Sequence, residues 1–128
     1  MRIPGHDRCF VCGEGSEIGL DFYERDGWMC SHFHPTDRLI GFPNVVHGGI
    51  LASVLAEAMG MAVSKVARRF LGRKITVEYL APVRPGGKYR VCGKVTGREG
   101  RKVFATATLY AEDGTLCAEG DGLFVVIT

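Results

Sequence analysis

VVHGGILASVLAEAMGMAVSKV, residues 45–66, carries the pattern on which the fold turns. Apolar side chains fall at Ile50, Leu51, Val54, Leu55, Ala58, Met61, Ala62 and Val66, the three-and-four spacing of a helix face, and the pattern predicts a helix from Gly48 to about Phe70. The other positions are mostly small (Ala52, Ser53, Ala56, Gly60, Ser64), so the helix is apolar nearly all round and is expected at the centre of the molecule. His47, Glu57 and Lys65 interrupt the run, which excludes it as a membrane span.

Such a helix needs a wrapper, and the flanking sequence supplies one. Downstream, Ile75/Val77/Tyr79, Tyr89/Val91/Val95 and Val103/Ala105/Ala107/Leu109 alternate with more polar neighbours at the two-residue period of half-buried strands. A last strand spans Thr115 to Ile127, where Gly120 and Gly122 suggest a bulge or sharp curvature. Pro82–Gly87, Gly97–Gly100 and Glu112–Gly114 read as turns. Upstream, Gly19 to Arg25 and Trp28 to His34 flank Asp26-Gly27, a hairpin signal, and Pro35 to Val46 reads as a loop because Pro43 cannot sit inside a ladder or helix. Two strands, one long helix and four strands in hairpin succession give an α+β architecture, an antiparallel sheet with a helix on one face. A parallel α/β fold is excluded by the single helix.

With 128 residues and no internal repeat or linker-like stretch, the chain is expected to form one domain over residues 1–128. Hydrophobic residues at 46% against 23% charged exclude disorder as the main state. The first residues lack the apolar core of a secretory signal, so a cytoplasmic location is expected. Five cysteines, an odd count, argue against a disulfide framework in such a setting. The net charge of +2 conceals an uneven distribution: thirteen Lys or Arg between Arg38 and Lys102 face only Glu57, Glu78 and Glu99. That field attracts a polyanion, although a solvated basic face is the plainer reading for any single residue. Nucleic acid is disfavoured, because the strands carry no interleaved aromatic platform.

Three sets of residues can carry chemistry. His47-Gly48-Gly49 stands where the loop becomes the helix; the first helical N–H groups have no intrahelical partner, and glycine lets a ligand approach them, so Gly48 and Gly49 suit a carbonyl that gains negative charge. The structural alternative is a cap by His47 with glycines that permit close packing. Glu57 is the only ionisable residue between His47 and Lys65; a carboxylate on so apolar a helix is either a general base or nucleophile or the partner of a neighbouring strand or subunit, and Ser53 lies one turn earlier. His6-x2-Cys9-x2-Cys12, followed by Cys30-x-His32-x-His34, has zinc-ligand spacing.

Asn44–Gly60, with Cys9-Phe-Val-Cys-Gly13 upstream and Val77-Glu-Tyr-Leu-Ala-Pro-Val-Arg-Pro-Gly86 downstream, resembles the PaaI-like acyl-coenzyme A thioesterases of the hotdog fold, and the resemblance covers nearly the whole chain. It implies a curved sheet around one helix, homodimers or homotetramers with sites at the subunit interface, and hydrolysis of an acyl-CoA thioester without a cofactor. The backbone amide that polarises the carbonyl maps onto Gly48 or Gly49, with His47 and Asn44 at the entrance. The usual acid falls on Ala56; Glu57 is one position later, about 100° round the helix. The implied outcomes are therefore a hydrolase in which Glu57 has taken over, one in which another group, such as one from the partner subunit, activates water, an acyl-CoA binder that does not hydrolyse efficiently, or an acyl-thioester hydratase. Arg84, Arg101 and Lys102 are the basic candidates for the phosphates of coenzyme A. Because the resemblance brings the Cys-x2-Cys-Gly turn without a metal, unligated cysteines are expected.

Overall fold

The computed structural model describes residues 5–127. Strands β1 (Tyr23–Arg25) and β2 (Trp28–Phe33) form the first hairpin, and its turn places Asp26 at φ 52° and Gly27 at φ 85°, the left-handed pair that an Asp-Gly turn requires. The first strand is shorter than the sequence pattern suggests. The segment read as a loop contains a 3-10 turn (Asp37–Leu39) and a small hairpin, β3 (Ile40–Phe42) with β4 (Val45–Val46), which reverses at Pro43-Asn44 with Asn44 at φ 63°. Helix α1 (Gly48–Val63) follows, then β5 (Phe70–Tyr79), β6 (Tyr89–Glu99), β7 (Lys102–Ala111) and β8 (Leu116–Val126). The large sheet runs β1-β2-β6-β7-β8-β5, antiparallel at every pairing.

The helix ends at Val63, short of the expected Phe70. Val66 keeps the helical spacing but is 46% exposed, with no core to bury it, and the Val66 and Ala67 amides both turn back to the Val63 carbonyl. From Arg69 the backbone instead joins β8: the Ile127 amide donates to the Arg69 carbonyl and Phe70 pairs with Val126. A ten-residue ladder satisfies more backbone groups than one further helical turn would.

One face of α1 packs on the sheet through Leu51, Val54, Leu55, Ala58, Met59, Met61, Ala62 and Val63, all buried. Each of the larger side chains contributes roughly 1.5–3 kcal/mol by leaving water. The helix backbone comes so near β6 that a Cβ on Gly93 would lie 2.3 Å from the Ala58 carbonyl oxygen. Gly120 and Gly122 serve the same purpose: they hold regular register opposite Val77 and Ile75, where side chains of Leu55 and Met59 approach, and the irregularities of β8 lie elsewhere. The suggestion that these two glycines mark a bulge is corrected accordingly.

The helix is not wrapped all round. Gly49, Ala52, Ser53, Ala56 and Gly60 form a stripe that is exposed or half-buried, and the neighbouring edge strand β5 exposes Leu71, Ile75 and Tyr79. The sequence showed small residues there and could not show whether this chain covers them. A second correction concerns the cysteines: Cys30 and Cys92 sit directly opposite each other on β2 and β6 and are joined as a disulfide, a pairing set by sheet register across 62 residues and invisible to local spacing. Cys9, Cys12 and Cys117 are free.

Candidate active site at the helix start

A cavity of about 630 Å³ opens at the start of α1. Its walls are mostly apolar, from Phe42, Val45 and Val46 of the small hairpin, Leu51 of the helix, and the Leu80–Val83 segment. That size and lining suit an organic ligand with few polar groups. Two hydrogen bonds, one local and one long-range, set the backbone at its mouth. The His47 Nδ1 accepts the Gly49 N–H at 2.8 Å, capping the helix, so neutral His47 carries its proton on Nε2. The Tyr79 hydroxyl donates to the Gly48 carbonyl at 2.8 Å, and its ring lies against the Gly48 Cα.

Of the two alternatives drawn from the His-Gly-Gly sequence, the cap by His47 is present, on Gly49. The Gly49 amide is spent on the cap. Among the described residues no hydrogen bond reaches the Gly48 amide, and Gly48 lines the cavity. At the positive end of the helix, that N–H is the donor available to a carbonyl oxygen. Tyr79 was visible in the sequence only as the end of a strand; nothing local signalled its reach across 31 residues to Gly48.

Glu57 lies elsewhere, two turns along the half-covered side of α1. Its side chain is 14% exposed, and its Oε2 accepts from the Cys12 thiol at 2.8 Å and the Cys9 thiol at 3.5 Å, with the His6 Nδ1 at 3.6 Å. Burial first, and then the adjacent Glu57 carboxylate, push the Cys12 thiol well above the ordinary thiol range. Along one helix Gly48 and Glu57 are nine residues apart, about 13.5 Å of rise. They cannot meet at one carbonyl carbon within a single chain.

The remaining candidates divide by position. Arg84 and Asn44 come together near the cavity, where the Arg84 Nη1 donates to the Asn44 carbonyl at 3.1 Å. Ser53 donates its hydroxyl to the Gly49 carbonyl at 2.9 Å and lines a separate cleft of about 380 Å³ with Phe10, Arg38 and Ile50. Arg101 and Lys102 lie at the far end of the sheet: Lys102 is opposite Val125, which is opposite Leu71, eight residues from Tyr79 along β5 and so about 26 Å away. Of the second zinc-like cluster, Cys30 is in the disulfide and His32 and His34 line a surface cleft with Lys88 and Arg90, so it does not join His6, Cys9 and Cys12.

The sequence model of the Thioesterase superfamily matches residues 43–118, from the small hairpin through α1 into β8. The chain belongs to this superfamily. An uncharacterised protein of Schizosaccharomyces pombe is 34% identical over 111 residues, which cover 81% of this chain and 63% of that protein. The acyl-coenzyme A thioesterase THEM4 of Xenopus laevis is 28% identical over 114 residues, covering 88% of this chain and 51% of that protein. The chain thus spans between half and two thirds of these relatives. Among solved structures, the PaaI protein of E. coli superposes with a TM-score of 0.75 at 17% identity, covering 87% of this chain and 81% of that one. A hypothetical thioesterase protein of Streptococcus pneumoniae TIGR4, solved with coenzyme A, gives 0.78 at 13% identity, covering 84% of each chain. The superfamily's hotdog arrangement, one helix against a large antiparallel sheet, is the fold described above. No helix among the described residues is long and apolar enough to cross a membrane.

Proposed function

We propose that this superfamily member hydrolyses an acyl-coenzyme A thioester to a carboxylic acid and free coenzyme A. The observation that carries the reading is the Gly48 N–H, at a helix start and lining an apolar cavity of about 630 Å³. A thioester oxygen held there gains negative charge as water attacks, and the oriented amide and the helix dipole favour that state over the ground state. Collapse of the tetrahedral intermediate breaks the C–S bond, and the coenzyme A thiolate leaves and takes up a proton. The Streptococcus pneumoniae protein solved with coenzyme A and the Xenopus acyl-coenzyme A thioesterase support this substrate class. Arg84, beside the cavity, is the candidate for a phosphate; Arg101 and Lys102 reach a site only across a subunit boundary.

Water activation is assigned to Glu57 of a second copy. The nine-residue separation forbids Glu57 from serving its own chain's Gly48, whereas two α1 helices packed antiparallel along their small-residue stripes bring one chain's Gly48 beside the other's Glu57. The stripe and the unpaired edge of β5, with Leu71, Ile75 and Tyr79 exposed, are the surfaces for this homodimer. A second reading, acyl-CoA binding without hydrolysis, is favoured by Ala56 in the usual acid position and by the engagement of Glu57 with two thiols.

A panel of acyl-CoA substrates with a thiol-detecting reagent separates the readings. Thiol release that is lost in Glu57→Ala supports hydrolysis with Glu57 as base. Tight acyl-CoA binding with no thiol release supports the second reading, and a gain of rate in Ala56→Asp then shows a site complete but for its acid. Conversion of an enoyl-CoA with no thiol release refutes both and marks a hydratase.

A further inference from the structure

The segment before β1 brings three soft or borderline donors to the side of α1. His6, Cys9, Cys12 and Glu57 each offer one atom, and these four atoms lie within 4.8 Å of one another. The individual separations are 3.5 Å for Cys9 Sγ to Glu57 Oε2, 3.6 Å for His6 Nδ1 to Glu57 Oε2, 3.7 Å for Cys12 Sγ to His6 Nδ1 and 2.8 Å for Cys12 Sγ to Glu57 Oε2. Zinc bonds of about 2.0 Å to nitrogen or oxygen and about 2.3 Å to sulfur set tetrahedral edges of roughly 3.3–3.8 Å. Three of the four distances fall in that range, and the fourth is the thiol-to-carboxylate hydrogen bond that a metal replaces.

A second observation is independent of these distances. The backbone of residues 6–13 is folded into the compact knuckle that presents both sulfurs of a Cys-x2-Cys to one point. The Cys9 amide donates to the His6 carbonyl at 3.0 Å and the Gly13 amide to the Cys9 carbonyl at 2.9 Å, and the Val11 amide points at the Cys9 sulfur at 3.4 Å. An N–H aimed at sulfur stabilises a thiolate more than a thiol. Gly13 is demanded by this turn, since a Cβ there would lie 2.4 Å from the Cys9 nitrogen and 2.7 Å from the Asp7 carbonyl oxygen.

We propose that His6, Cys9, Cys12 and Glu57 form a zinc site that fastens residues 6–12 to the middle of α1. Two thiolates, one imidazole and one carboxylate are a donor set for a four-coordinate, borderline-soft divalent cation; magnesium and calcium call for oxygen donors instead. Binding displaces the two thiol protons to solvent; the two positive charges on the metal then meet one negative charge on each thiolate and one on the carboxylate, a net charge of minus one at the site. All four positions come from the protein, so the site is structural. Its consequence is local, because Phe10, between the two cysteines, forms a wall of the cleft with Ser53 and Ile50. Metal binding holds that wall in place. The contacts reach Glu57 through Oε2, so ligation engages one carboxylate oxygen, and the site stands whether or not Glu57 also handles a proton in hydrolysis.

The test uses the full chain, purified with a non-coordinating reductant and no chelator, and reads metal content and spectra with no substrate, so that failure of the hydrolase reading leaves it unaffected. Elemental analysis is expected to give one zinc per chain. Cobalt added to chelator-stripped protein is expected to give a thiolate-to-cobalt charge-transfer band with the visible bands of a tetrahedral ion. Cys9→Ser and Cys12→Ser should lose the band, His6→Gln, which alters a side chain 35% exposed and outside the core, should weaken zinc binding at least about tenfold, and Cys117→Ser should change nothing. A folded wild-type protein that retains no zinc and gives no cobalt band overturns the proposal. So does a Cys9→Ser or His6→Gln protein that binds zinc as tightly as wild type.

Discussion

Replacement of Gly48 by proline puts a ring methylene where the amide hydrogen of the candidate site stood, with little cost to the fold. Gly48 is the first residue of α1, where the amide has no intrahelical partner and proline is favoured. His47 precedes it at φ −58° and ψ 134°, the extended conformation that a residue before proline adopts. At a compatible position glycine-to-proline restricts the unfolded chain and stabilises by about 0.4–1 kcal/mol. Unfolding entropy near 2.1 cal/mol/K per residue gives roughly 270 cal/mol/K for a chain of this length, so Tm should stay level or rise by about 1–4 °C. The catalytic effect has the opposite sign: loss of one oxyanion donor lowers kcat by about 10²–10³-fold, or roughly 3–4 kcal/mol of transition-state stabilisation. Gly48→Ala is the control, because it keeps the N–H and its Cβ meets the Tyr79 ring at 3.4 Å, within van der Waals contact. Thermal melts and steady-state thiol release from an acyl-CoA, measured on the three proteins, decide the matter. A Gly48→Pro protein that melts like the parent and retains kcat within about threefold refutes the assignment of Gly48 as the donor.

Gly93→Ala should be among the most damaging single-methyl changes in the chain: backbone atoms at 2.3 and 2.4 Å must move, a cost above the usual 1–3 kcal/mol of overpacking and a Tm loss of about 10 °C or more, whereas Gly97→Ala, with no atom within 4 Å of its Cβ, should melt within a few degrees of wild type. On the proposed homodimer, Ile75→Glu places a charge on the exposed face of β5 and should shift the protein from dimer to monomer in sedimentation velocity, with thiol release falling in parallel because the proposed pairing of one chain's Gly48 with the other's Glu57 is lost. Burial raises the Cys117 thiol above its ordinary value of 9.0. Above that pH the unfolded chain releases a proton that the folded chain keeps, so stability falls as pH rises, by at most about 1.4 kcal/mol per pH unit for this group. Cys117→Ala should flatten the alkaline side of a urea-stability profile, and an unchanged slope would show that the folded thiol titrates normally.

How far the sequence could be read depended on the range of the interaction concerned. The helix, the hairpin at Asp26-Gly27 and the alternating strands are set by neighbours a few residues apart, and their pattern predicts them; the end of α1 escaped because Val66 satisfies the helical period while the deciding partner, β8, lies some sixty residues on. The chemistry-bearing residues follow the same rule. His-Gly-Gly announced a helix start open to a ligand, yet its division of labour, Gly49 to the His47 cap and Gly48 to the cavity, is a matter of ångströms that residue types do not encode. Both halves of the zinc-like spacing looked alike on paper. Sheet register committed Cys30 to Cys92, and the knuckle at residues 6–13 found its fourth donor 45 residues away on α1. Glu57 was conspicuous because a lone carboxylate on an apolar helix demands a partner. Only the tertiary arrangement names the partners as two cysteines and a histidine of the same chain, and it leaves the small-residue stripe beside them exposed or half-buried, the surface on which the proposed homodimer rests.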